Sequence, residues 1–235
     1  MTFTVLGYCP TSQKAGFCQA TSTPAVGWRC TDVVAGRGLV TVQAHGDYRQ
    51  LQLAKRLMEF GYSPAKVMKE LREDDKFFEL RQIAILDLQG NSAVNTGTRA
   101  RPWAGEIVGP DYVVTGNVLV GEEVVRAMSK AYEASRGQHL EDRLLKAVEA
   151  GRDAGGQEEG QTSCALVVYE KHAFPIVNLR VDVALEPVGE MRRIFDWYKP
   201  LIPYYVSRTL DPTSVGTKKA LLEEMGLPAN PYLRN

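Results

Sequence analysis

Thr2-Phe3-Thr4-Val5-Leu6-Gly7-Tyr8 opens the chain one residue in and reads as a β-strand, with β-branched and aromatic residues alternating along it. Two chemistries start from this stretch. Thr is a good strand residue and needs no further role. If Met1 is removed, however, Thr2 presents a hydroxyl and a free α-amine on one residue. An amine titrating near about pH 8 can take the hydroxyl proton and make a nucleophile without a histidine.

Working outward, Cys9-Pro10-Thr11-Ser12-Gln13-Lys14 is turn chemistry and 16–22 resumes as a strand, so the chain begins with a hairpin. Thr23 to Trp28 reads as a loop, and 38–43 as a third strand. Asp47 caps a helix through Leu51, Ala54, Leu57 and Met58 that stops at Gly61. Ser63-Pro64 starts a second helix with Val67, Met68 and Leu71 on one face. A strand-turn-strand unit follows over 82–96, then a loop over 99–110 holding Trp103 and Gly105, then a strand over 112–119. A second helix pair covers 122–135 and 140–150, a Gly-rich acidic loop covers 151–160, and two strands and a helix opened by Pro187 complete the series.

Strands in adjacent runs and helices in pairs predict mainly antiparallel sheets rather than βαβ winding. The expected fold class is α+β: a four-layer αββα sandwich, two sheets between helix pairs. The tail from Lys199 differs. Pro200, Pro203, Tyr204 and Tyr205 read as a stiff aromatic connector, followed by a short helix near Lys218 to Met225 and by Pro228 and Pro231. The expected division is a domain over 1–198 and an arm over 199–235 that packs on its own domain or on a neighbouring subunit of a homo-oligomer.

Composition narrows the function. Lys plus Arg and Asp plus Glu stand at 28 each, so the net charge is zero. That balance, with no basic run, argues against a nucleic-acid partner. No apolar stretch approaches a membrane span, and no charged leader precedes an apolar run, so the expected location is the cytoplasm. The four cysteines, Cys9, Cys18, Cys30 and Cys164, lack metal or disulfide spacing and read as reduced thiols. No metal and no cofactor is expected. Gly151 to Gly160 has neither phosphate-loop spacing.

Several stretches together are similar to one family: Thr2-Phe3-Thr4-Val5, Arg81 to Asp87 with Gly90 and Thr96-Gly97, Trp103-Ala104-Gly105, Gly116-Asn117-Val118-Leu119-Val120-Gly121, Leu144 to Gly156, and Leu179-Arg180-Val181-Asp182. Over residues 2–198 the chain resembles the domain-of-unknown-function 1028 family, assigned by fold to the N-terminal nucleophile hydrolase superfamily. The resemblance implies the αββα sandwich and a superfamily that mostly hydrolyses amides, with its nucleophile at the start of a central strand. Where relatives tend to read Gly-Gly-Asp-x-Arg, this chain has Gly155-Gly156-Gln157-Glu158-Glu159; where they tend to read Val-Asp-Asp-His, it has Val181-Asp182-Val183-Ala184.

The candidate residues follow. Thr2 is the nucleophile and Asn117, after a strand glycine, the oxyanion donor; the ordinary reading of Asn117 is a bulge bonding its own backbone. On the substrate side stand Arg81, Gln43, Asp182 and Trp103. Arg81 would orient a carboxylate or form an ion pair with Asp87, Asp182 or a helix-end acid. Gln43 ends a strand near the expected cleft, and Trp103 would line a pocket or fill a core. Lysines that assist threonine nucleophiles in this superfamily sit on strands, whereas Lys14, Lys55 and Lys66 fall in a turn or on helix surfaces. The expected function is therefore hydrolysis of a small amide at Thr2. The alternative is a non-catalytic sandwich, with Met1 retained, that binds a small ligand or builds an assembly.

Overall fold

The computed structural model describes residues 1–230. Strand β1 (Thr2–Cys9) forms a hairpin with β2 (Lys14–Thr21), in a register that sets Leu6 opposite Phe17 and Thr2 opposite Thr21. The chain then crosses to a second sheet with β3 (Thr31–Val34) and β4 (Gly38–Ala44), makes α1 (Tyr48–Glu59) and α2 (Pro64–Asp74), and returns with β5 (Arg81–Asp87) and β6 (Ser92–Thr96). Strands β7 (Ala104–Gly109) and β8 (Tyr112–Asn117) rejoin the first sheet. They precede α3 (Glu123–Ala134), α4 (Leu140–Asp153), β9 (Ser163–Tyr169), β10 (Pro175–Val181) and α5 (Pro187–Tyr198). The sheets order as β10-β9-β2-β1-β8-β7 and β3-β4-β5-β6, with every pairing antiparallel.

Side-chain alternation explains the layers. On β1, Phe3 and Val5 face a core shared with α3, α4 and α5, which also holds Met128, Leu144 and Phe195. Val40, Val42, Ile83 and Ile85 face α1 and α2. Leu6, Phe17, Leu39 and Leu86 meet between the two sheets. The predicted four-layer α+β sandwich is the observed one. Caps fix the first helix pair: Asp47 accepts from Arg49 N at 2.9 Å and Ser63 from Lys66 N at 3.4 Å.

Three segments differ from expectation. Residues 31–34 form β3, a short strand in a stretch assigned to no element from the sequence. The loop expected over 99–110 contains β7, an edge strand whose ladder partner is β8. The aromatic connector is helical: Lys199–Leu201 is a 3-10 turn and Ile202–Leu210 is α6, with Pro at the start of each, where its missing N–H costs nothing. A short α7 (Lys218–Glu224) follows, and Pro231 lies outside the described residues. No described helix is long and apolar enough to cross a membrane.

Candidate active site

The space between the sheets changes character along β1. At the Leu6 level both sheets contribute apolar side chains. Two residues earlier, Thr4 lies opposite Gln19 and Thr115, and two earlier again Thr2 lies between Thr21 and Asn117. Directly paired residues share a face, so Asn117, Thr2 and Thr21 form one polar row. On the other sheet, Gln43 pairs with Gln82 and Gln82 with Thr96.

The two rows are joined by a directional chain of amides. Gln82 Nε2 donates to the main-chain oxygens of Gly116 at 2.9 Å and Gly105 at 3.1 Å, and lies 2.8 Å from Thr96 Oγ1. Main-chain oxygens only accept, so the Gln82 orientation is fixed. Its Oε1 therefore accepts from Gln43 Nε2 at 2.8 Å and Asn117 Nδ2 at 3.0 Å. Gln43 Oε1 in turn accepts from Thr4 Oγ1 at 2.8 Å. Gln82 and Asn117 are completely buried, and Asn117 Oδ1 has no hydrogen-bond partner among the described residues.

Thr2 begins the central strand β1 at the edge of this network. Its Oγ1 lies 2.7 Å from the Met1 carbonyl oxygen and 3.3 Å from Thr21 Oγ1. The Thr21 hydroxyl also donates to the Met1 carbonyl. A cavity of about 210 Å³ opens here, lined by Met1, Thr2, Thr21, Thr23, Val26, Arg29, Cys30, Gln43, Ala44 and Gly46. Burial holds the Met1 ammonium below its ordinary value; the charges of Arg101 and Arg29 reinforce the shift and that of Glu159 opposes it. Burial also pushes the Cys30 thiol up to about 11, so it stays protonated beside the cavity.

Thr2 and Gln43 thus share one cavity wall, and Asn117 stands beside Thr2 on the neighbouring strand. Arg81 is held elsewhere, with Nε 2.8 Å from Asp75 at the end of α2 and Nη2 3.4 Å from Asp47 at the start of α1. It also donates to the His45 carbonyl, so it buttresses the loop next to Ala44 and Gly46 rather than facing the cavity. Asp182 sits on a separate surface depression, its side chain 3.8 Å from Arg180. Trp103 packs over Gly105 and against the helix-side core, since a Cβ on Gly105 would lie 2.6 Å from its ring. Lys14 begins β2, is buried, and pairs with Glu141 at 3.1 Å at the far end of the strand. Lys55 pairs with Asp32 and Lys66 with Glu70. Thr21, Thr23 and Arg29 carry no sequence signal of their own; the β1–β2 register and the loop after β2 bring them to Thr2. Arg29 Nη2 ties that loop, reaching Thr23 Oγ1 at 2.6 Å and the Pro24 carbonyl at 2.9 Å.

No curated protein matches the chain. Among solved structures, protein SPO2555 from Silicibacter pomeroyi is 27% identical, with a TM-score of 0.77 over 84% of this chain and 85% of that one. Anbu (ancestral beta-subunit) from Yersinia bercovieri aligns at 12% identity and a TM-score of 0.43, over 87% and 96% of the two chains, too distant to bear on the site. The model of the Family of unknown function (DUF1028) matches residues 2–191, and the chain belongs to that family.

Proposed function

We propose that the protein is an N-terminal nucleophile-type hydrolase of a small amide, with Thr2 as nucleophile once Met1 is removed. The observation that carries this reading is the position of Thr2 Oγ1. It stands at the start of the central strand, on a cavity of about 210 Å³, at the polar end of the inter-sheet layer. In the proposed reaction the Thr2 α-amine takes the Oγ1 proton as oxygen attacks the amide carbon. The proton passes to the departing amine, leaving an ester on Thr2. Water, activated by the same amine, cleaves that ester and returns the threonine with release of a carboxylic acid. Asn117 would serve the oxyanion through the second Nδ2 hydrogen, with the first committed to Gln82. Gln43 contacts the substrate, and Arg29, on the same wall, takes the carboxylate-orienting role expected of Arg81. Asp182 and Trp103 act only through a substrate reaching beyond the cavity. The cytoplasmic and oligomeric expectations belong to the same proposal.

A second reading has one observation in its favour. With Met1 present, its carbonyl accepts from both the Thr2 and Thr21 hydroxyls, a satisfied arrangement for a protein that binds without catalysing. Intact mass and N-terminal sequencing of untagged protein, exposed to an amide-directed electrophile, separate the two. A chain starting at Thr2 and labelled there is the result expected. A chain that keeps Met1 and stays unlabelled overturns the hydrolase.

A further inference from the structure

At the opposite end of β1 from Thr2 lies a second cavity, of about 540 Å³, whose wall includes Cys9, Asp111, Arg136, His139 and Arg143. It forms where β1 ends and where α3 turns into α4 through Gly137, whose φ of +91° is a left-handed conformation suited to glycine. Arg143 is its unusual member. The residue is 8% exposed, and its guanidinium lies over the Tyr132 ring, 4.0 Å from the centroid. Nη2 reaches the Tyr132 main-chain oxygen at 3.4 Å, a weak contact, and Nε has no hydrogen-bond partner among the described residues.

The neighbouring acids are committed elsewhere. Glu141 pairs with Lys14 at 3.1 Å, and Asp142 with Lys199 at 2.7 Å. No ion pair to Arg143 is formed among the described residues. A guanidinium buried without a counter-charge is costly, and its fork of donors matches a planar or tetrahedral oxyanion. Arg136 adds an exposed cation to the same wall, against the single acid Asp111. The first amides of α4 behind His139 have no side-chain cap and add a favourable dipole.

We propose that this cavity binds a small oxyanion, the phosphate or carboxylate group of a metabolite, with Arg143 as its buried bidentate contact and Arg136 at its mouth. The proposal is independent of chemistry at Thr2. Cys9 supplies a built-in reporter. Its thiol is half-buried and lies 3.3 Å from Thr11 Oγ1; burial alone would raise its pKa, but the neighbouring Ser12 and Thr11 groups hold it below its ordinary value. The other three cysteines are buried.

The test titrates the whole protein with inorganic phosphate and, separately, with succinate. Binding is followed by calorimetry and by the rate of iodoacetamide modification at Cys9, read by peptide mass. A saturable heat with matching protection of Cys9 is expected from at least one probe, and which probe gives it assigns the anion class. Arg143→Gln should weaken that binding at least tenfold and Arg136→Ala several-fold, with Thr2→Ala unchanged. Arg136 is exposed, so its variant carries the test even where Arg143→Gln does not fold. No binding of either probe to the unaltered protein overturns the proposal, as does equal binding by the unaltered protein and Arg136→Ala.

Discussion

Gln82 shows how much one side chain holds in this fold. It closes the gap between sheets by donating to two main-chain oxygens and accepting from Gln43 and Asn117. Replacing it with leucine leaves several buried polar groups without partners, each worth about 1–3 kcal/mol. Gln82→Leu should therefore lose about 3 kcal/mol or more in urea unfolding. Gln82→Glu keeps the shape but turns an oxygen toward the Gly105 and Gly116 carbonyls, where the nearby Thr96 hydroxyl already donates to Glu106. Complete burial, with one oxygen set against two carbonyls, raises the carboxyl's folded-state pKa. The unfolded chain then releases its proton first, and the penalty grows as pH rises above the unfolded value of about 4.3. Gln82→Glu should be less stable than Gln82→Leu at pH 7, with the gap closing toward pH 4. A pH-independent gap would mean that the amide orientation derived for Gln82 is not what stabilises the site.

Among the elements, β4 is the most constrained at its first residue. Gly38 has φ +154°, and a Cβ there would collide with the Leu86 carbonyl oxygen of β5, a backbone atom with no rotamer to yield. Gly38→Ala should cost about 2 kcal/mol or more, seen as a lower urea midpoint with an unchanged slope. Gly36, also at positive φ in the same turn, has open space around its missing Cβ and should lose less than Gly38. The strand itself was legible from the alternation Leu39-Val40-Thr41-Val42. Its partner β3 was not, because four residues after a Gly-Trp loop give too short a pattern, and their strand character comes from pairing with β4. β7 was hidden for a related reason: at the sheet edge Glu106 and Val108 are exposed, while Gly105 is set by the Trp103 ring rather than by alternation. The prolines that suggested a stiff connector mark helix starts instead, a distinction that needs the packing of Tyr198 on Tyr205 to decide.

For the molecule as a whole, the sequence shows the layers but not where the layer between the sheets turns polar. Thr2, Thr4, Gln19, Thr41, Gln43, Gln82, Thr115 and Asn117 look like scattered strand polars until antiparallel registers bring them to one end. Thr2 was legible as a candidate because its chemistry depends on its place in the chain and not on pairing; Gln43 and Asn117 were also candidates, and the register sets them beside it. The same whole-molecule packing bears on the tail. Leu201 is fully buried and Ile202 nearly so; Ile202 joins the core that holds Phe195, with Val206 packed against it. Tyr198 and Tyr205 stack with ring centroids 5.6 Å apart, and the Trp197 indole donates to the Pro228 carbonyl at 3.1 Å. These contacts lie within one chain, so the first turns of the tail complete the core that Phe195 begins. A chain ending at Tyr198 loses two buried aliphatic side chains worth about 1.5–3 kcal/mol each. It should unfold at a distinctly lower urea concentration than the full chain. A chain ending at Leu210 keeps both and should lose the buried Leu222 and the hydrogen bonds to Pro228 and Gly216, unfolding between the other two. If the chain ending at Tyr198 matches the full chain in urea midpoint, Leu201 and Ile202 are not part of the working core, and residues 199–235 form an appendage.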